Sequence, residues 1–442
     1  MQISQSFAQL KLRIQKFGLG LLNNSFSRNV INLSLGSSIS QILIIASSPV
    51  ISRLYTPSDF GLQGLVISFT GLIAVAGSLG LEVSIVSAEN QESANSTLVI
   101  CFISNIVIAL LGGLAMFVFI SNDILSYGSL PLWSVIPSVI VIWAIGFFMA
   151  LRYWAVRNGE YISISRALML QGSGRAITPV VYGMFINNWL GLLLGEIIGR
   201  VLGIQRIARA AYKEVVPILH EYTFRKYLKL IKSKWKFILL GLPSSLISSL
   251  YTSLTIPFIS TVFSTGLSGQ FLFVQNILAV PTSLISSSAA DVFHSRISSI
   301  KNDNPAGAND FLIKMMGQLT WLAILIYVPI AIFSPFLFPV IFGSNWQMAG
   351  IIMSYISMLS MFAFVISPLS RIIFVYNAQE YKLALDLFRL TIPFISIFGA
   401  KCFNLDFTYA LISYTTLGIL GYLAYLFIIW KSIQRHNLKV NL

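Results

Sequence analysis

Residues 97–120 read TLVICFISNIVIALLGGLAMFVFI, twenty-four consecutive positions without an acid or a base. Wound as a helix at 1.5 Å per residue, such a run is about 36 Å long, enough to cross the roughly 30 Å hydrocarbon core of a bilayer. Similar apolar runs, bounded by charges or turn residues, recur at 30–52, 61–82, 131–151, 168–186, 188–205, 237–262, 271–292, 315–339, 350–372, 383–401 and 407–430. Together they predict twelve membrane-spanning helices. The whole chain agrees: 442 residues are 56% hydrophobic and 10% charged, against about 45–50% and 25% in soluble domains. The fold class expected is an all-α polytopic membrane protein. A soluble enzyme is excluded, and so is a nucleic-acid binder, despite a formal charge of +14. An outer-membrane barrel is excluded because its strands alternate in polarity. The pair 168–205 is interrupted by Gln171, Gly172, Ser173, Gly174, Arg175 and Glu196, which leaves a re-entrant hairpin as its alternative.

Charge placement orients the spans. With the amino terminus inside, 26 of the 29 Lys and Arg fall in inward segments, two (Arg53 and Lys401) fall outside, and Arg175 lies within a span. The positive-inside rule then puts both termini in the cytoplasm. The first 29 residues are basic and carry no signal-cleavage pattern, so the first run is expected to persist as a span. The organisation expected is a segment 1–29, a six-helix lobe 30–205, a basic cytoplasmic connection 206–236, a second six-helix lobe 237–430 and a tail 431–442. The connection carries Arg225, Lys226, Lys229, Lys232, Lys234 and Lys236. It is either an anionic-headgroup-binding segment or a topology anchor.

Six spans on each side of a long connection suggest an internal repeat. A shift of 208 residues lays Ser37, Ile39, Ser40, Pro49, Ile51, Ser52 and Gly61 on Ser245, Ile247, Ser248, Pro257, Ile259, Ser260 and Gly269. Because six is even, both halves enter from the same side, and the lobes are related by a pseudo-two-fold along the membrane normal.

Three segments carry a family likeness: Arg53-Leu-Tyr-Thr-Pro-Ser-Asp-Phe-Gly61, with a following span that ends Ser78-Leu-Gly-Leu-Glu82; Gly191-Leu-Leu-Leu-Gly195-Glu-Ile-Ile-Gly199-Arg200; and Phe342-Gly-Ser-Asn-Trp346-Gln-Met-Ala-Gly350, with a span ending Ser367-Pro368-Leu-Ser370. In this order the chain resembles the Wzx-type polysaccharide flippases, a branch of the superfamily that includes the MATE multidrug exporters and the lipid II flippases. Ser58 stands where that family often has Glu. The resemblance implies two lobes around a cavity that opens alternately to each side of a bacterial inner membrane. It implies as cargo an undecaprenyl-diphosphate-linked oligosaccharide, O-antigen or a similar surface repeat, moved to the outer leaflet. It implies as partners that lipid-linked oligosaccharide, membrane lipids and other polysaccharide assembly proteins.

Charges inside spans are costly and mark sites or pairs. Counted from a turn near Asn187, Arg175 and Arg200 are level at about 18 Å, with Glu196 one turn from Arg200. One carboxylate against two guanidinium groups is either a phosphate-binding site or an internal salt bridge. Arg371, Asp386 and Arg389 form a second set near the inner face, and Glu82 is either a boundary charge or a coupling carboxylate. Serines in the first, seventh and eighth spans either line a wet path or permit close packing. Cys101 and Cys402 make no CxxC, and His220, His294 and His436 have no ligand spacing, so no metal or cofactor is expected. Two rivals remain. A membrane glycosyl-transferring enzyme or polymerase would want a large charged outer loop, which is missing here. A drug or cation exporter of the same fold would want deep acids in the first lobe.

Overall fold

In the computed structural model the described residues are 25–219, 231–232, 234–282, 307–370 and 379–440. Among them there is no strand. The described residues form twelve long helices in chain order: α1 (Ser25–Leu54), α2 (Pro57–Ala76), α3 (Gln91–Ser121), α4 (Val135–Arg157), α5 (Tyr161–Gly183) and α6 (Leu190–Leu219). Then come α7 (Trp235–Val262), α8 (Thr265–Pro281), α9 (Gly307–Phe342), α10 (Gln347–Leu369), α11 (Gln379–Cys402) and α12 (Phe407–Val440). Each overlaps one expected span. Eight of them (α1–α4, α7, α9, α10 and α12) are long and apolar enough to cross a membrane.

The boundaries differ where polar residues face protein instead of lipid. α5 starts at Tyr161, seven residues before the expected 168, because its serines and glycines pack on α1. α6 runs on to Leu219, well past the expected end at 205, and α5 and α6 are complete helices, not a re-entrant hairpin. α8 ends at Pro281; the remainder of its expected span, most of the 206–236 connection beyond Leu219, and Arg371 lie outside the described residues.

Successive helices run antiparallel, so one face of the bundle, called here the Tyr55 face, collects the turns at 55–56, 184–189, 263–264, 343–346 and 403–406. The opposite face holds Lys234. Local signals set the turns. Thr56 caps α2 by accepting from the Asp59 N–H (3.2 Å), while Asp59 Oδ2 accepts from the Thr56 N–H (2.8 Å), with Pro57 opening the helix. Ser264 caps α8 by accepting from the Leu267 N–H. Thr56 and Ser264 are themselves 208 residues apart.

The helix pairing repeats with the same period. α1 packs on α5 and α7 on α11; α5 on α6 and α11 on α12; α3 on α4 and α9 on α10; α4 on α6 and α10 on α12. Pro49 and Pro257 occupy matching places in the paired helices α1 and α7, each five residues from the helix end. The two repeat glycines meet where α2 crosses α8. A side chain on Gly61 would strike the Thr265 backbone, and one on Gly269 would strike the backbone of Pro57 and Gly61. Only glycine permits this reciprocal backbone contact.

Candidate functional site

α5 is held between α1 and α6 by small residues. On α6, Gly191, Gly195, Gly199 and Gly203 form one stripe at four-residue spacing, and all four abut α5. Gly195 meets Pro179, Gly199 meets Arg175 and the Gln171 carbonyl, and Gly203 meets Gln171. On the other side, Gly172 leaves room for Ser40 of α1, so that serine is a packing residue. The stripe brings the backbones close and fixes what lies between them.

Between them lies the charge set expected from the sequence. Glu196 is 1% exposed and sits between two arginines. Its Oε1 accepts a hydrogen bond from Arg200 Nε at 2.7 Å. Its Oε2 is 2.7 Å from Arg175 Nε, but off the line of that N–H, so the contact is ionic and the oxygen lacks a hydrogen bond. The Arg175 side chain is 37% exposed and the Arg200 side chain 20%. The site carries a net positive charge, and Arg175 presents it outward.

Arg175 and Glu196 border a pocket whose other walls include Ser48 of α1, Gln63 of α2, and Phe273 and Asn276 of α8. The pocket lies where the pseudo-symmetry breaks. α7 packs along α2, with Ile256 against Gly64, and its Leu242 lies beside Gly80 in the turn that follows α2. Among the described residues the matching pair, α1 and α8, makes far less contact, and both helices border the pocket, where Ile45 of α1 is 38% exposed. In this state the space is about 70 Å³, room for a few waters and not for a sugar.

Contacts between the lobes close the Tyr55 face. Besides the glycine crossing, Trp346 Nε1 donates to the Ser52 carbonyl at 2.8 Å, and Phe60 packs edge-on against Phe273 and Trp346. Trp346 is fully buried.

The other expected residues separate from this set. Asp386 is buried in α11. Its neighbour Arg389 lies over the rings of Tyr251 (4.7 Å) and Tyr422 (4.9 Å) and donates to the Tyr422 hydroxyl at 3.1 Å. Those tyrosines come from α7 and α12, and sequence spacing could not have paired them. Glu82 was expected at the inner end of the second span. Instead α2 ends at Ala76, and Leu79 and Gly80, both with positive φ, turn the chain so that Glu82 lies in the connection. There burial pushes its carboxyl above the usual range, and its Oε2 is buried without a hydrogen-bond partner. Lys234, one of the basic residues of the connection, also reaches this end of the bundle, donating to Thr97 Oγ1 (2.6 Å) and Ser84 Oγ (3.3 Å). Among the described residues no cluster of three His, Cys, Asp or Glu could hold a metal.

A family profile described as "Polysaccharide biosynthesis protein" matches residues 50–351. No curated protein sequence matches the chain. Among solved structures, an inward-facing multidrug resistance MATE family transporter of the MOP superfamily superposes with TM-score 0.66 at 15% identity, over 93% of this chain and 98% of the other. The lipid II flippase MurJ in an inward closed conformation gives 0.68 at 14%, over 92% and 90%. An outward-facing MATE transporter gives 0.55 at 16%, over 95% and 97%. The fold is that of MOP-superfamily transporters, a multi-pass membrane bundle.

Proposed function

The chain belongs to the polysaccharide biosynthesis protein family, and on that premise we propose that it is a lipid-linked oligosaccharide flippase. Its cargo is an undecaprenyl-diphosphate-linked oligosaccharide, such as an O-antigen repeat, carried from the cytoplasmic to the outer leaflet of a bacterial inner membrane. The chain makes no bond; it moves its cargo by alternating access, and its Lys234 face is the cytoplasmic one.

The observation that carries this reading is the guanidinium of Arg175, half-exposed on the wall of a pocket between the lobes and sharing one carboxylate with Arg200. A diphosphate crossing low dielectric loses its hydration, and a fixed guanidinium offsets part of that cost through paired N–H groups. The parting of α1 from α8 supports the same reading. It offers a side opening through which a prenyl tail stays in lipid while the head occupies the pocket. Further separation of α1 and α8 is required to admit a sugar.

Deleting the gene in the producing cell tests this. Lipid-linked oligosaccharide should accumulate on the inner leaflet, with surface polysaccharide lost and the cytoplasmic sugar-assembly steps intact. Unchanged surface polysaccharide, or accumulation on the outer leaflet as a polymerase defect would give, refutes the reading.

A further inference from the structure

α6 is longer than a membrane crossing requires. From Leu190 at the Tyr55 face, 20 residues at 1.5 Å each use up the roughly 30 Å hydrocarbon thickness near residue 210. The turns around and beyond it, from Arg206 to Leu219, lie at or near headgroup depth, where long basic side chains reach the interface. Their inner side is apolar, with Ile207, Ala211 and Val215 buried against the first lobe. Their outer side carries Arg206, Arg209 and Lys213, all exposed.

These three cations line a groove of about 590 Å³ between the end of α6 and the start of α5, with Ser163 and Glu160 on its other wall. Glu160 is the single carboxylate lining it, and no ion pair engages the three cations among the described residues. The groove therefore holds two uncompensated positive charges at the level of lipid phosphates. It continues the seam that contains the buried site. Arg206 is six residues from Arg200 along α6, about 9 Å, and Lys213 is thirteen, about 20 Å.

We propose that this groove docks the phosphate headgroup of an anionic lipid in the leaflet at the Lys234 face. From there an anionic head moves along the α5–α6 seam toward Arg200 and Arg175, a role that rests on the flippase reading. The recognition is electrostatic and shallow, suited to capture and release. The groove, at about 590 Å³, is wider than the roughly 70 Å³ pocket at Arg175.

The test reads lipid binding, not transport. The full chain is placed in nanodiscs of phosphatidylcholine with a small fraction of phosphatidylglycerol, and retained lipid is measured by native mass spectrometry. Each basic residue near an anionic surface is worth roughly fivefold in affinity. Arg206→Gln/Arg209→Gln/Lys213→Gln should therefore lower phosphatidylglycerol retention by about 100-fold at low salt. Arg206→Lys/Arg209→Lys should keep most of it. Lys431→Gln, which removes a charge elsewhere, should retain wild-type binding and the preference for phosphatidylglycerol over phosphatidylcholine. Adding inorganic pyrophosphate separates the sources: displacement at millimolar concentration shows that the phosphate alone is read, and no displacement shows that the membrane-held lipid is. A triple variant that keeps phosphatidylglycerol as the wild type does overturns the proposal. That result leaves the flippase reading standing, because export by Arg175 variants judges the latter separately.

Discussion

Truncating Arg175 to alanine should abolish export while leaving the protein folded, and the geometry of Glu196 says why the two effects separate. The carboxylate has two partners, so removing Arg175 leaves it bound to Arg200. Because the Arg175 side chain is 37% exposed, its contribution to stability is that of a screened pair, about 0–1 kcal/mol. Membrane abundance and detergent melting temperature should stay near wild type. Glu196→Gln is the opposite case. It leaves two guanidinium groups facing a neutral amide beneath a carboxylate position that is 1% exposed. Removing one partner of a buried ionic set costs about 3–5 kcal/mol, so melting temperature and abundance should fall clearly. Arg175→Lys should restore export only in part, since it keeps the charge and loses the fork. The assays are surface polysaccharide, membrane abundance and melting temperature for the single variants and for Arg175→Ala/Glu196→Gln. If Arg175 holds cargo, the double variant stays inactive. Full export by the double variant would show that the arginine serves only to balance Glu196.

Two further outcomes follow from the two cysteines and from Glu82. Cys402 is exposed at the Tyr55 face and Cys101 is buried, so a membrane-impermeant maleimide should label the native chain once, on intact spheroplasts; labelling only in inverted vesicles would reverse the assigned orientation. Glu82, near Cys101, has its carboxyl raised by burial. A raised folded-state pKa gives stability that is present below the unfolded value and lost as pH rises through the folded one. The wild-type melting temperature should therefore decline across that window, and Glu82→Gln should flatten the profile; superimposable profiles would refute the assignment.

The helices were legible because a bilayer demands long uncharged runs, and that demand is written directly in composition. The repeat was legible through Pro49, Gly61 and their partners, since a backbone-to-backbone crossing tolerates only glycine and keeps it in both halves. Arg175, Glu196 and Arg200 could be brought together from spacing because they lie on one hairpin, where distance from the turn fixes depth. Their stripe of glycines was also in plain view, as a four-residue period, but it was read as a family likeness instead of a packing device. Arg389 between Tyr251 and Tyr422 was not legible: its partners come from helices 138 and 33 residues away, and no local period relates them. Glu82 was misplaced because an uninterrupted apolar run hides a turn made by Leu79 and Gly80. The parting of α1 from α8 has no sequence signal either. It is a difference between two pseudo-equivalent interfaces, and under the proposed alternating access the same residues form both arrangements.

That movement makes a demand on the Tyr55 face. If the pocket is to open outward, the crossing of α2 with α8 has to come apart. Its core is glycine against backbone, flanked by the Thr265 methyl and by Leu272 against Gly64, and no ion pair among the described residues spans it. Such a contact forfeits only dispersion when it separates, a small cost per atom pair. The aromatic contacts of Phe60 with Phe273 and Trp346 should part with it. A covalent bond across the crossing would forbid the motion. A Cβ on Gly266 would lie 3.5 Å from Ser58 Oγ, so cysteines at these two positions bring their Cβ atoms within about 4–5 Å, near the span of a disulfide. Ser58 is exposed and does not line the pocket of Arg175 and Glu196, so the pair leaves the charged residues in place. Ser58→Cys/Gly266→Cys should export normally under reducing conditions, lose export when oxidised, and recover with reductant, while either single variant is indifferent to oxidant. Cross-linking is followed by the gel shift after cleavage between the lobes. Export that continues with the cross-link complete would mean that the Tyr55 face never opens at this crossing, and alternating access by parting of the two lobes there would be ruled out.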